Sequence, residues 1–228
     1  MNHAFLALIN KTDVIDFATL CKIAADIQVQ LSRHFYPIWR ISASITVFTA
    51  EEDIPENFWK VVIDNKAQIS EHRQDSQGLP YAIIIGANAE EIAFNCSHEC
   101  LEMLVNPYGR KFYTGFPPQG FPQKQVKFYA EICDPCNNLD FGVKMRYFKV
   151  SDFVKRTYYT DPLERTGAYS CYGQIQHPFE VLEEGYIQWT DKKHEKLFTA
   201  VMRGGVMRIE EGQTFASAID TTDTSAPS

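Results

Sequence analysis

His98, Glu99 and Glu102 fall within one short stretch, His98-Glu99-Cys100-Leu101-Glu102, whose surroundings have helical periodicity. Residues four apart on a helix sit one above the other, so His98 and Glu102 can grip a single ion. Zn²⁺ accepts imidazole nitrogen and carboxylate oxygen at similar distances. Glu99 lies next along the same arc, set to one side, where a carboxylate can take a proton from a water acidified by the ion. The rest of this helix is apolar: Ile92, Ala93, Phe94, Cys96, Cys100, Leu101, Met103, Leu104 and Val105. The bland alternative is a solvated helix face carrying Glu and His. Against it stand that apolar remainder and the brief loop linking the helix to an Ile-rich strand, which together predict a polar arc lining a groove.

The elements that must hold this arc are readable in outline. Phe5 to Ile9 reads as a strand, and Asp13 to His34 as a helix with Pro37 ending it. Ile41 to Phe48 alternates as a strand, and Phe58 to Asp64 is another. Ala67 to Leu79 is polar and reads as a loop; Pro80 to Gly86 is a dense β run. The motif helix follows over Glu90 to Val105 and stops at Asn106-Pro107. Tyr108 to Lys124 reads as an ordered surface excursion rich in Gly, Pro and aromatics. Strands are expected at Val126–Cys133, Val154–Tyr159, Ser170–Gln176 and Tyr186–Trp189, with a hairpin region over Asp140–Val150. Leu197 to Met207 is ambiguous, and Gly204-Gly205 lacks the setting of a phosphate loop. The fold class is α+β: a mixed sheet with an N-terminal helix and the motif helix on one face, then a β-rich C-terminal part. One domain is expected over 1–209, with 210–228, rich in Ser, Thr, Asp and Ala, as a flexible tail.

A chain of 228 residues with 45% hydrophobic content can bury one sizeable core. Its net charge of −7, with no Lys/Arg cluster among aromatics, argues against a nucleic-acid partner. Nothing approaches the ~20 apolar residues of a membrane span. No basic start, apolar centre and cleavage site mark a signal peptide, so a cytoplasmic protein is expected, with unconventional export leaving no mark.

His-Glu-x-x-His on a helix is the zincin signature, and this chain resembles a zincin. The resemblance implies a motif helix under a mixed sheet whose edge strand guides a substrate peptide, a part that falls to Pro80–Gly86 in this chain. The sequence departs where Glu102 replaces the second histidine, giving an H-E-x-x-E variant whose harder donor tolerates divalent ions besides Zn²⁺. A closer similarity is to a group of uncharacterised bacterial and phage-associated proteins with S-H-E-x-L-E-M-L-x-D-P, E-x-C-D and V-S-D-F. The counterparts in this chain are Ser97 to Pro107, with Asn106 in place of Asp, then Glu131-Ile132-Cys133-Asp134 and Val150-Ser151-Asp152-Phe153. In gluzincin-type zincins a downstream Glu supplies the third ligand. That implies Glu131 first, Asp134 second and His72 third, with Asp152 orienting a ligand. The plain alternative for Glu131 and Asp134 is turn capping at Asp134-Pro135.

The six cysteines offer a rival centre. Cys96 and Cys100 share a helix face, and Cys133-Asp134-Pro135-Cys136 is a CxxC, so four thiolates could hold a structural zinc. Buried cysteines beside a turn remain the simpler reading. The functional expectation is a zinc-dependent hydrolase, a peptidase acting on a peptide or protein. The alternative is a catalytically inactive zincin-like binding module.

Overall fold

A computed structural model of the chain describes residues 3–116, 125–160, 167–191 and 196–214. The first half runs β1 (Ala4–Asn10), α1 (Phe17–Gln30), α2 (Tyr36–Trp39), β2 (Ala43–Val47), β3 (Trp59–Ile63), β4 (Glu71–Gln74), β5 (Pro80–Ile84) and α3 (Ala89–Val105). The strands form one sheet in the order β2-β1-β3-β5-β4. All neighbours are parallel except β4, which runs antiparallel to β5. Leu6, Leu8, Val61, Ile63, Ala82 and Ile84 alternate onto one face and share a single apolar core with Leu20, Ile23 and Ile27 of α1 and Ile92, Cys96 and Met103 of α3. Both helices therefore cover the same face of a mixed sheet.

Two caps fix the helices. Asp16 accepts from Thr19 N–H at 2.7 Å at the start of α1, and Asn88 accepts from Glu90 and Glu91 N–H at 3.0 Å at the start of α3. Pro37 does not end the first helix. The chain widens into a π turn over Leu31–Phe35, where Tyr36 N–H reaches Leu31 O, and continues as α2. That wider turn absorbs the hydrogen bond a proline cannot donate. The helix stops at Arg40, which adopts a left-handed φ of 57°. A buried relay then ties the helices together: Ser97 Oγ donates to Gln30 Oε1 at 2.8 Å, and Gln30 Nε2 donates to Ser151 O at 2.8 Å.

The second half is β-rich. It holds β6 (Phe112–Gly115), β7 (Val126–Tyr129), the short pair β8 (Val143–Lys144) and β9 (Lys149–Val150), α4 (Thr157–Thr160), β10 (Tyr186–Asp191), β11 (Lys196–Arg203) and β12 (Val206–Thr214). An antiparallel sheet in the order β12-β11-β10-β7-β6 packs through Phe128, Trp189 and Phe198. The architecture is α+β with a β-rich C-terminal part. No helix among the described residues is long and apolar enough to cross a membrane.

Several elements differ from the sequence expectation. The polar stretch expected as a loop contains β4, and β4, not the Pro80–Gly86 run, is the sheet edge; β5 lies between β3 and β4. β7 ends at Tyr129, well short of Cys133. Of Val154–Tyr159 and Ser170–Gln176, only a single Val154–Ser170 bridge forms, and α4 occupies the end of the first stretch. The ambiguous Leu197–Met207 segment is a hairpin turned by Gly204-Gly205, with φ of 59° and 69°. β12 continues through Thr214, so residues 210–214 belong to the sheet; 215–228, expected as tail, lie outside the described residues. The expected excursion over Tyr108–Lys124 contains β6, and its residues 117–124 also lie outside them.

Candidate metal centre

Helix α3 carries His98, Glu99 and Glu102 against the sheet, each side chain no more than 8% exposed. The 3₁₀ turn Asp134–Cys136, after β7, swings Asp134 under the helix. Two of its flanking amides close on one carboxylate: Cys133 N–H and Asp134 N–H donate to Glu102 Oε1 at 2.9 and 3.2 Å. The other oxygen of Glu102 is left for His98, whose Nε2 lies 3.2 Å from Glu102 Oε2 and 3.3 Å from Asp134 Oδ1. Ligands ~2.1 Å from a tetrahedral ion stand roughly 3.4 Å apart. The two distances from His98 match that spacing, and the ligand atoms of Glu102 and Asp134 lie within 4.8 Å of each other.

From the other side β4 inserts His72. Glu71 and Arg73 on either side point outward and pair at 3.0 Å, while the His72 side chain is 8% exposed. Its Nδ1 is 3.3 Å from Glu99 Oε2, and its Nε2 is 3.2 Å from Asn106 O and 3.6 Å from Glu131 Oε2. Glu131 is held in place by Asn106, whose Nδ2 donates to Glu131 Oε1 at 2.7 Å. Glu131 thus belongs to the His72 side of the cluster. Of the three candidates for a third ligand, Asp134 is the one grouped with His98 and Glu102, because the chain leaves β7 at Tyr129 and turns only at Asp134; Glu131 and His72 lie together on the other side.

Four carboxylates (Glu99, Glu102, Glu131, Asp134) share this space, and among the described residues the two imidazoles supply their only ion pairs. Glu131 Oε2 and Asp134 Oδ1 are buried without a hydrogen-bond donor. Such a concentration of buried negative charge demands protons or cations. Without a cation it takes protons. Burial, then the Glu102 charge, push Glu131 up to about 8, against the pull of His72. Burial and Glu102 likewise push Asp134 up to about 6, opposed by His98 and Tyr186. Burial disfavours charge on His72, but its bond to Glu99 and the charges of Glu131 and Glu102 outweigh it and raise the imidazole to about 9. The same contest, with Glu102 and Asp134 prevailing over burial, raises His98. The donor set, spacing and orphaned oxygens fit a divalent cation.

A groove of about 270 Å³ opens onto His98 and Glu99, lined also by Ile69, Ser70, Asn95 and Tyr186. Tyr186, the first residue of β10, bonds Asp134 through its hydroxyl. In the sequence nothing distinguishes it from the other tyrosines. Gly185 sits beneath the same turn: a Cβ there would lie 2.6 Å from Pro135 O and 3.0 Å from Asp134 O. Gly185→Ala must therefore displace Asp134, and a chelator-competition titration is expected to show cation affinity falling roughly 10–100-fold.

The remaining candidates lie elsewhere. Asp152 joins neither metal-capable group; its Oδ1 accepts from Phe153 and Tyr172 N–H at 2.7 and 3.1 Å and pins those loops. Cys96, Cys100, Cys133 and Cys136 are buried and free, and no cysteine belongs to a metal-capable group among the described residues. Burial pushes all four thiols up, away from the thiolate form. No family model, curated protein or solved structure matches this chain.

Proposed function

We propose that this chain is a metal-dependent hydrolase, a zinc peptidase in the first instance, with the ion held by His98, Glu102 and Asp134. The observation carrying this reading is the 3.2 and 3.3 Å spacing of His98 Nε2 to Glu102 Oε2 and Asp134 Oδ1, beside a groove reaching Glu99. A divalent ion there would supply Lewis acidity toward water and a carbonyl. Glu99, lining the groove, receives the proton from the attacking water. Tyr186 braces Asp134 and presents a phenol that burial and the neighbouring carboxylates keep protonated. Asn95, fixed by its 2.9 Å bond to Ile85 O, offers a polar wall to the substrate. The outer edge of β4 pairs with no strand among the described residues, so β4 replaces Pro80–Gly86 as the edge offered to an extended peptide.

The bond between His72 and Glu99 favours a second reading, a binding module in which the proton acceptor is tied up. Zinc content after purification, followed by digestion of a peptide library, separates the two. Native protein is expected to hold zinc and cleave. Glu99→Gln is expected to retain zinc at His98, Glu102 and Asp134 and to lose cleavage by at least ~100-fold. Zinc-free native protein, or a Glu99→Gln variant that cleaves normally, overturns the hydrolase assignment.

A further inference from the structure

The hydrolase reading engages His98, Glu102 and Asp134 and leaves His72 and Glu131 without a task. His72 has the bearing of a ligand. Its Nδ1 faces two carboxylate oxygens, Glu99 Oε2 at 3.3 Å and Glu102 Oε2 at 3.9 Å. Its opposite nitrogen, Nε2, is held 3.2 Å from the Asn106 carbonyl. Histidines that bind metal commonly donate their second ring N–H to a backbone carbonyl, which fixes the tautomer and aims the free nitrogen at the ion. The three ligand atoms of His72, Glu99 and Glu102 lie within 4.8 Å of one another, as do those of His98, Glu102 and Asp134. Both groups use the same Glu102 oxygen.

Two further observations point the same way. Glu131 Oε2 is buried behind the His72 ring, 3.6 Å from Nε2, with no hydrogen-bond donor. An imidazole polarised by an ion on Nδ1 becomes a stronger donor toward that side. The charge count is the second. Fully ionised and with neutral imidazoles, the four carboxylates would carry −4; one divalent ion would leave −2, and two would leave none.

We propose that His72, Glu99 and Glu102 form a second divalent-cation site, joined to the first by the shared Glu102 carboxylate. The proposal rests on the hydrolase reading only for the first ion. It adds a constraint: an ion at the second position takes Glu99 as a ligand, so filling it withdraws the proton acceptor. Carboxylate-bridged ion pairs of this kind are a recurring arrangement in hydrolytic sites.

The test is zinc stoichiometry. Full-length protein is stripped with chelator, titrated with Zn²⁺ by calorimetry, and assayed for bound zinc after gel filtration. Native protein is expected to bind two ions per chain, in a tight and a weaker step. His72→Gln and Glu99→Gln are each expected to bind one, retaining the tight step, with near-UV circular dichroism reporting the fold. If His72→Gln loses that spectrum, Glu99→Gln alone decides. One ion in native protein, unchanged in the variants, overturns the second site and leaves the first standing. No zinc in native protein overturns both.

Discussion

Glu102→Ala is expected to lose the cation together with several kcal/mol of stability, whereas Glu102→Gln is expected to lose the cation alone. The difference follows from the two oxygens of one carboxylate. Oε1 accepts from the amides of Cys133 and Asp134, both in fully or nearly fully buried residues. Alanine leaves those two N–H groups without an acceptor. Each orphan costs about 1–3 kcal/mol, a large fraction of the 5–15 kcal/mol that holds a typical domain together. Glutamine keeps a carbonyl oxygen for the amides and places an NH₂ where Oε2 met His98 and His72. An amide nitrogen does not ligate zinc, and one of four crowded negative charges is gone.

Thermal melts with and without Zn²⁺ read both effects at once. Native protein is expected to melt higher with zinc. Glu102→Gln is expected to melt at or above the metal-free native temperature and to ignore zinc. Glu102→Ala is expected to melt far lower or fail to accumulate. A Glu102→Gln protein that still takes up stoichiometric zinc would remove this carboxylate from the centre, and with it the link between both triads.

How much of this is legible in the sequence depends on whether the signal is local. Helix α3 is legible because its cap, its apolar circumference and its Asn106-Pro107 stop all lie within it or at its ends. The strands β1 and β3 are legible from apolar runs between parallel neighbours, and the edge strand β2 from its alternation of apolar residues with Ser and Thr. The position of Asp134 beside His98 is not. It requires knowing that the chain folds its 133 and 134 amides around Glu102, a contact between residues about thirty positions apart. β4 escapes notice because its inward residue, His72, is polar, so Glu71-His72-Arg73-Gln74 shows no apolar alternation. Its strand character comes from pairing with β5, a tertiary effect. The hairpin at Gly204-Gly205 is readable in principle: paired glycines between alternating runs mark a turn with positive φ at both positions.

The cluster's hunger for positive charge yields the second large prediction: metal-free protein should become steadily less stable as pH rises from about 5 to about 9, and zinc should abolish that slope. Asp134 rises from an ordinary 3.8 to about 6 in the fold, and Glu131 from 4.5 to about 8. Between those limits the unfolded chain has released protons that the folded chain keeps, so each group costs stability as pH climbs through its window. His72 rises from 6.5 to about 9, so its favourable contribution is complete below 6.5 and disappears as pH passes 9. All three act in the same direction, and the Glu131 window bridges those of Asp134 and His72. Zinc would occupy the place of the Asp134 and His72 protons and its charge would disfavour the one on Glu131; ligands bind best deprotonated, so the zinc-induced rise in melting temperature should widen with pH. His72→Gln removes the imidazole's window from 6.5 to about 9 and also releases Glu131 from the pull of His72, so the alkaline part of the metal-free curve should change shape, with the Glu131 part moving to higher pH. Melts of stripped protein across this range, repeated with saturating Zn²⁺, measure the slope directly. A metal-free curve that is flat or climbs toward pH 9 would mean that the folded chain holds no more protons than the unfolded one, and that the pull toward a cation is absent.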